Sequence, residues 1–335
     1  MPKIAINGFG RIGRNVFKAG WNKPGFNVVA VNDLTDPKTL AHLLKHDSSY
    51  HDWDKSVSSD ADELIVAGKR VKVFAEKDPT KLPWKKLGID IVLECTGRFT
   101  DLEGASQHLA AGAQRVIISA PAKGGGVPTH VLGVNQKGAG KKAKIINNAS
   151  CTTNCIAPVA AVLNSAFGIR KAMMTTIHAY TADQVLVDGP HKDLRRARGA
   201  AQNIIPTTTG AAIATTEAIP ELKGLFDGLS IRVPVAVVSL SDFTFVLKKR
   251  VTVEQINEAL TKASQNPLWK GILEVTNEEL VSSDFVGSSA SCIVDLPLTK
   301  VVDGDLVKVI AWYDNEMGYS HRLAEMALEV GKNLK

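Results

Sequence analysis

The run Lys3-Ile4-Ala5-Ile6-Asn7 reads as a buried strand, and it passes without a break into Gly8-Phe9-Gly10-Arg11-Ile12-Gly13, which opens a helical pattern over Arg11 to Ala19. A strand, a glycine turn and a helix in that order leave few folds open. Gly8 permits the tight turn, Gly10 lets the backbone approach a pyrophosphate, and Gly13 lets helix and strand pack closely. The helix N-terminus attracts the phosphates. A glycine string alone is weak, but here a second strand, Val28 to Asn32, ends at Asp33, twenty positions after Gly13. An acid at that point hydrogen-bonds a ribose diol and repels a 2′-phosphate, which points to NAD in preference to NADP.

Further strands follow in order. Leu64-Ile65-Val66 and Val71-Lys72-Val73-Phe74 form a hairpin around Ala67-Gly68, and Ile89 to Cys95 and Arg115 to Ser119 flank a helical pattern over Asp101 to Ala111. Alternating strand and helix predicts a parallel, doubly wound sheet with ligands at the carboxyl ends of its strands, where Lys77, Thr96-Gly97 and Ser119 fall. The Gly/Lys-rich stretch from Gly124 to Gly140 lacks a strand-to-helix transition and reads as loop.

After Cys151 the strand candidates lengthen and alternate: Lys171 to Ala179, Ile231 to Val235, Val237 to Leu247 and Leu306 to Tyr313. Few helices intervene, which predicts a second, α+β domain built on an antiparallel sheet. At 335 residues two domains are natural. The expected division is 1–149 and 150–315, with the C-terminal helix over 316–335 rejoining the first. Thr252-Val253-Glu254-Gln255 reads as a capping box, and Ser320 to Leu334 as an amphipathic helix.

Where these halves meet, Ala149-Ser150-Cys151-Thr152-Thr153-Asn154-Cys155 places a thiol at the start of a mostly buried helix running to Phe167, with Pro158 suggesting a bend or a later start. Unpaired amides and the helix dipole would lower the Cys151 thiol from its free value of about 8.5. The commoner role of such a cysteine is core packing, which suits Cys155. His178, near the end of a strand, supplies an imidazole that could pair with the thiol. The basic loop containing Lys192, Arg195, Arg196 and Arg198 reads as a solvated face, a subunit contact or a phosphate site. Thr207-Thr208-Thr209-Gly210 precedes the helix Ala211 to Ala218, a second terminus suited to an anion. Arg232, a charge within an apolar strand, requires a partner.

Four cysteines, at 95, 151, 155 and 292, are too few and scattered for a disulfide framework, and no Cys/His cluster completes a metal site. Met1-Pro2-Lys3 leads straight into a strand, and no stretch is long and apolar enough for a membrane span, so a cytoplasmic protein is expected. The net charge of +6 suits anionic ligands.

Taken together, Gly8 to Gly13, Asp33, Ser150-Cys151-Thr152-Thr153-Asn154-Cys155, Thr176-Ile177-His178-Ala179 and Trp312-Tyr313-Asp314-Asn315-Glu316-Met317-Gly318-Tyr319 closely resemble the phosphorylating glyceraldehyde-3-phosphate dehydrogenases. The resemblance runs from Lys3 to the C-terminal helix. It implies a Rossmann NAD-binding domain and an α+β catalytic domain. The implied reaction is reversible oxidation of D-glyceraldehyde 3-phosphate with NAD and inorganic phosphate to 1,3-bisphosphoglycerate. It implies Cys151 as nucleophile and His178 as its base, with a hemithioacetal followed by a thioester. Thr181 and Arg232 would hold the substrate phosphate. Ser150, Thr152, Arg196, Thr209 and Gly210 would hold the attacking phosphate. Gly8, Gly10, Arg11, Ile12, Gly13, Asp33, Lys77 and Ser119 would contact NAD, with Asn315 on its carboxamide and Tyr319 near the ring. Family members are homotetramers, and the Thr181 to Asn203 loop would lie at a subunit interface. The chain departs from the family pattern at Gly189, where many NAD-dependent members carry a bulky apolar residue, and at Lys123-Gly124-Gly125-Gly126, which lacks acids often seen there.

Three rivals differ in what they require. An erythrose-4-phosphate dehydrogenase would share the thiol and imidazole but disfavour phosphorolysis, against the full set of phosphate-binding hydroxyls. The semialdehyde reductases of amino-acid synthesis commonly use NADPH, which conflicts with Asp33. Nucleic-acid binding, suggested by a pI near 9.0, lacks any aromatic-studded sheet motif or helix-turn-helix and is secondary at most.

Overall fold

The computed structural model describes residues 1–334. Its first half follows the order β1 (Lys3–Asn7), α1 (Arg11–Gly20), β2 (Asn27–Asn32), α2 (Pro37–Lys45), β3 (Val57–Ser59), β4 (Glu63–Val66), β5 (Lys69–Phe74), α3 (Trp84–Leu87), β6 (Ile91–Glu94), α4 (Leu102–Ala110), β7 (Arg115–Ile118) and β8 (Ile145–Asn147). The second comprises α5 (Cys151–Phe167), β9 (Ile169–Ala179), β10 (Ile205–Thr207), α6 (Ala211–Ala218), β11 (Phe226–Val233), β12 (Ser239–Leu247), α7 (Val253–Ser264), β13 (Leu273–Thr276), β14 (Cys292–Asp295), β15 (Lys300–Val302), β16 (Leu306–Tyr313) and α8 (Met317–Gly331). Two units result: one from 1–130, 136–149 and the chain from Ser320 onward, the other from 131–135 and 150–319.

In the first unit the sheet order is β3-β4-β5-β2-β1-β6-β7-β8. The pairings β1–β2, β1–β6, β2–β5, β6–β7 and β7–β8 are parallel, while β3, β4 and β5 form an antiparallel edge. Central strands are apolar on both faces, as a sheet covered on both sides requires: Ile4, Ala5, Ile6, Ile91, Val92 and Leu93 are all fully buried. From β1 the chain runs to β2 on one side and later to β6 on the other, so the strand order reverses between β1 and β6. The glycine turn lies at that switch point.

The turn is tight for a visible reason. Gly8 has φ 90°, and a Cβ there would lie 2.7 Å from the Thr96 amide nitrogen in the loop after β6. A Cβ at Gly13 would sit 2.1 Å from the Gly8 carbonyl oxygen, whereas Gly10 faces open space. Beneath these loops, the buried Glu94 carboxylate accepts from Asn7 Nδ2 at 2.6 Å, His108 Nε2 at 3.1 Å, the Thr96 amide at 2.8 Å and the Thr96 hydroxyl. Trp84 Nε1 donates to His108 Nδ1, which places the ring proton on Nε2. A buried carboxylate so satisfied ties the ends of β1 and β6 together. Helix α8 from Ser320 onward packs within this unit, with Lys23 Nζ 2.9 Å from Glu325 and Gly140 against Val330. It starts earlier and stops earlier than the sequence pattern suggests. The Asp314 carboxylate accepts from the Glu316 and Met317 amides at its start, and Gly331 and Asn333 at the end are weak helix formers.

The second unit holds a sheet of order β10-β11-β9-β12-β16-β14-β13, with β15 on β16. It is mixed where an antiparallel sheet is expected from the strand pattern: β9 pairs parallel with β11 and β13 with β14. Between β9 and β11 the chain runs through β10 and α6, a crossover long enough to bring it back in the same direction. On β12, Ser239, Ser241, Phe243, Phe245 and Leu247 are buried while the residues between them are part-exposed, and α5 packs against β9, β12, β14 and β16. Strand β11 begins earlier than expected and stops at Val233, because Pro234 cannot donate and the Val235 amide turns back to the Val233 carbonyl. The capping box at Thr252 forms as the sequence indicates. Strands β10, β13 and β15 are too short to carry a readable period.

Gly13→Ala is expected to destabilise the fold by about 1–3 kcal/mol through overpacking. Gly10→Ala should cost less than about 1 kcal/mol, because its Cβ meets nothing and only the helix cap changes. Denaturant unfolding followed by tryptophan fluorescence compares the two.

Candidate active site

Helix α5 begins at Cys151 itself. Ala149, with φ 53°, turns the chain out of β8, and Ser150 sits extended as N-cap, its Oγ accepting from the Thr153 amide at 3.1 Å. A start later than the hydroxyls is therefore not adopted: the helix runs from Cys151 to Phe167 with Pro158 inside, forgoing one backbone bond to Asn154. The sulfur of Cys151 thus stands at the positive end of a 17-residue helix. Cys155, one turn on, is fully buried and packs.

Strand register supplies the rest. His178 on β9 is paired with Arg232 on β11, and Cys151 Sγ lies 3.5 Å from His178 Nε2. His178 Nδ1 is 2.6 Å from the Ala179 carbonyl oxygen, which can only accept. The proton is therefore on Nδ1, and Nε2 presents its lone pair to the thiol. Arg232 Nη1 donates to the same carbonyl at 3.2 Å and to Thr181 Oγ1 at 3.2 Å, so the charge within the apolar strand meets neutral acceptors, while its buried Nε has no hydrogen-bond partner. The buried Tyr313 hydroxyl joins Thr152 Oγ1 at 2.9 Å and Thr176 Oγ1 at 2.8 Å, and its ring meets that of His178 edge-on at 6.0 Å. Ser239 Oγ accepts from the Ala179 amide and donates to Asn315 Oδ1 at 3.0 Å.

The electrostatics correct one expectation. Cys151 keeps part of its surface in solvent, yet the protein packed around it pushes the thiol up, against the Thr152 hydroxyl, the Arg232 guanidinium and the first-turn amides. Burial, with Arg232 and Arg196 nearby, lowers His178 to about 3. Each group alone is held neutral. The helix terminus does not make a resting thiolate by itself, and a reactive thiolate has to arise with an imidazolium through transfer of one proton across the 3.5 Å gap.

A second cationic group flanks the pair. Arg196 Nε donates to Thr207 Oγ1 at 3.0 Å, Nη2 to the Thr208 carbonyl at 3.0 Å and Nη1 to Asp183 at 2.6 Å. Burial raises the Asp183 carboxyl, but Arg196 and His191 outweigh it and hold the group below the ordinary range. Thr209 Oγ1 accepts from the Ala211 amide, and Gly210 caps α6 with no side chain over the terminus.

In the first unit, the glycine turn, with open space at Gly10 and no side chain capping α1, leaves backbone amides available to a pyrophosphate. Asp33 follows β2, its Oδ2 accepting from the Phe9 amide at 2.7 Å and its Oδ1 from the Thr35 amide at 3.1 Å, so the carboxylate is fixed beside the turn with lone pairs to spare. Arg11 is paired with Asp47 at 2.7 Å, Ile12 lies in the first turn of α1, Lys77 is exposed in the loop after β5, and Ser119 follows β7. These residues fit a dinucleotide. Asn315 and Tyr319 belong to the second unit, where both are buried. Among the described residues no group of three or more His, Cys, Asp or Glu side chains could hold a metal ion.

Sequence reading gave no role to Tyr313, Thr176, Ser239 or Asp183. The first two stand within the motifs quoted above, but nothing in their spacing shows that their hydroxyls meet, and Asp183 finds Arg196 only through the folding of a loop.

Residues 150–315 match the family described as glyceraldehyde 3-phosphate dehydrogenase, C-terminal domain, and residues 2–102 the glyceraldehyde 3-phosphate dehydrogenase NAD binding domain. The chain is 56% identical to the glyceraldehyde-3-phosphate dehydrogenase of Geobacillus stearothermophilus over 97% of both chains. The chain belongs to the glyceraldehyde-3-phosphate dehydrogenase family. It is also 53% identical to glyceraldehyde-3-phosphate dehydrogenase 1 of Bacillus subtilis (strain 168) over 98% of both chains. The corresponding figure for the glyceraldehyde-3-phosphate dehydrogenase of Streptomyces coelicolor is 51%, over 99% of both. The NAD binding match of this dehydrogenase family spans the glycine turn, Asp33 and Lys77, and the C-terminal match spans Cys151, His178 and both arginines.

Replacing His178 by Asn is expected to slow alkylation of Cys151 by iodoacetamide at neutral pH by about 10–100-fold. The pH profile should move upward, because without the imidazole the raised thiol must lose its proton to solvent. An unmoved profile would show that the thiol ionises independently.

Proposed function

We propose that this chain oxidises D-glyceraldehyde 3-phosphate to 1,3-bisphosphoglycerate with NAD and inorganic phosphate, reversibly. The observation that carries the proposal is the thiol and imidazole 3.5 Å apart at a helix N-terminus, with Arg232 and Arg196 both close enough to depress the imidazole. A nucleophile, its base and two cations for two anions are the parts this reaction needs.

His178 Nε2 takes the proton from Cys151, and the sulfur adds to the aldehyde carbon. The carbonyl π pair moves to oxygen, which receives the proton back from Nε2, giving a hemithioacetal on Cys151. The Cys151 and Thr152 amides, which have no acceptor within the helix, steady the oxyanion as it forms. NAD, when bound, accepts hydride at C4 of its nicotinamide. As hydride leaves the carbon, Nε2 takes the hydroxyl proton, and a thioester remains on Sγ. A phosphate oxygen then attacks the thioester carbon and the sulfur departs, taking the proton from Nε2. Because Nδ1–H stays bonded to Ala179 throughout, one nitrogen handles every proton.

Thr181 and Arg232, joined at 3.2 Å, are assigned to the substrate phosphate. Ser150, Thr152, Arg196, Thr209 and Gly210 are assigned to the attacking phosphate, using the termini of α5 and α6. The Gly8 to Gly13 turn, Arg11, Ile12, Asp33, Lys77 and Ser119 are assigned to NAD. A cytoplasmic homotetramer is the assembly that family membership suggests, and no helix among the described residues is long and apolar enough to cross a membrane.

The test is NADH formation from glyceraldehyde 3-phosphate and NAD, with and without phosphate, in the unaltered chain and in Cys151→Ser. Steady turnover that requires phosphate and vanishes in the variant is expected. A burst of about one NADH per site that phosphate fails to extend would mean acylation without phosphorolysis, and would replace this reading with the erythrose-4-phosphate type.

A further inference from the structure

Each nitrogen of the arginine assigned to the attacking phosphate already has a partner. Of its three nitrogens, Nε and Nη2 are held by Thr207 Oγ1 and the Thr208 carbonyl, neutral groups at the entrance to α6. Nη1 is held by Asp183 Oδ2 at 2.6 Å, the closest anion on the guanidinium, while Asp193 Oδ2 lies 3.6 Å from Nε and accepts from Thr207 Oγ1. The two are unequally placed: the Arg196 side chain is 18% exposed and that of Asp183 54%. Within a single chain the guanidinium is the more enclosed of the two and the carboxylate the more exposed.

We propose that Asp183 is an internal competitor of inorganic phosphate, occupying Arg196 Nη1 when phosphate is absent and leaving it when phosphate binds. This rests on the assignment of Arg196 to the attacking phosphate. A carboxylate and a phosphate offer a guanidinium the same arrangement of oxygens, so one substitutes for the other at the same donor. The released carboxylate has somewhere to go. His191 Nε2 already lies 3.6 Å from Asp183 Oδ1, and that ring is positioned by its Nδ1, which accepts from the Asp193 amide at 2.9 Å. The bonds to Thr207 and Thr208, with Asp193 beside Nε, keep the guanidinium aimed while the anion on Nη1 is exchanged.

Two consequences follow. Phosphate affinity is the difference between two ion pairs and is weaker than an open arginine would give. Anions of single charge gain little over the carboxylate they displace, so the competition favours the phosphate dianion over chloride or nitrate at the same position.

The experiment measures KM for inorganic phosphate, and separately for glyceraldehyde 3-phosphate and NAD, in the full chain and in Asp183→Asn, Arg196→Gln and the double variant. Asparagine keeps the shape and a hydrogen bond to Nη1 but removes the charge. The expected result is a phosphate KM at least threefold lower in Asp183→Asn, with the other two KM values unmoved and the effect absent when Arg196 is already Gln. An unchanged or raised phosphate KM in Asp183→Asn, with a raised one in Arg196→Gln, would overturn the proposal and make Asp183 a support for the arginine. If Arg196→Gln leaves the phosphate KM where it is, the assignment of Arg196 fails and the proposal fails with it. Inhibition by nitrate supplies a second readout: it should strengthen in Asp183→Asn if the carboxylate competes, and stay constant if it only braces the loop.

Discussion

The short hydrogen bond from His178 Nδ1 to the Ala179 carbonyl is the constraint on which the chemistry of the second unit depends. It selects one tautomer of a buried ring, and that choice aims the basic lone pair at the Cys151 sulfur. Were the proton on Nε2, the ring would point a donor at the thiol and a lone pair at a carbonyl, and no base would face the nucleophile. Arg232 shares the same carbonyl and so stiffens the arrangement from the other side. Parallel pairing of β9 with β11 brings His178 and Arg232 together, which gives that departure from an antiparallel sheet a functional side.

The same burial that fixes the ring also discourages charge. A thiol pushed up and an imidazole pushed down by desolvation make an inert pair unless the proton passes directly between them. Such a transfer creates two opposite charges within a few ångströms, which costs far less than making either alone. The helix terminus and the Thr152 hydroxyl, itself bonded to Tyr313, then act on a thiolate that exists when it is needed. Reactivity gated in this way protects a thiol from indiscriminate chemistry.

Much of this was legible in the residues. The glycine turn announces itself because strand, turn and helix are contiguous, and its steric demands at Gly8 and Gly13 are local. Asp33 is legible because a fixed spacing carries it to the end of the next strand. Cys151 and Ser150 could be placed at a helix start from their neighbours alone. The electrostatic state of the thiol could not, since burial is set by strands that arrive from far along the chain. Strand direction failed to show for a similar reason: period-two alternation records which face is buried but not which way a partner runs, so the β9–β11 and β13–β14 pairings were invisible. Asp183 and Tyr313 reach their partners across 13 and 161 positions, and only the closed loop and the assembled sheet join them.

The first unit takes its closing piece from the far end of the chain. Helix α8 beyond Ser320 packs beside residues near the start, with Gly331 against Pro2 and Glu325 on Lys23. The whole second unit is thus an insertion, encoded between two segments of one structure. Loss of the segment from Ser320 onward would therefore take a helix out of the nucleotide-binding unit, while every segment of the inserted unit, 131–135 and 150–319, would remain.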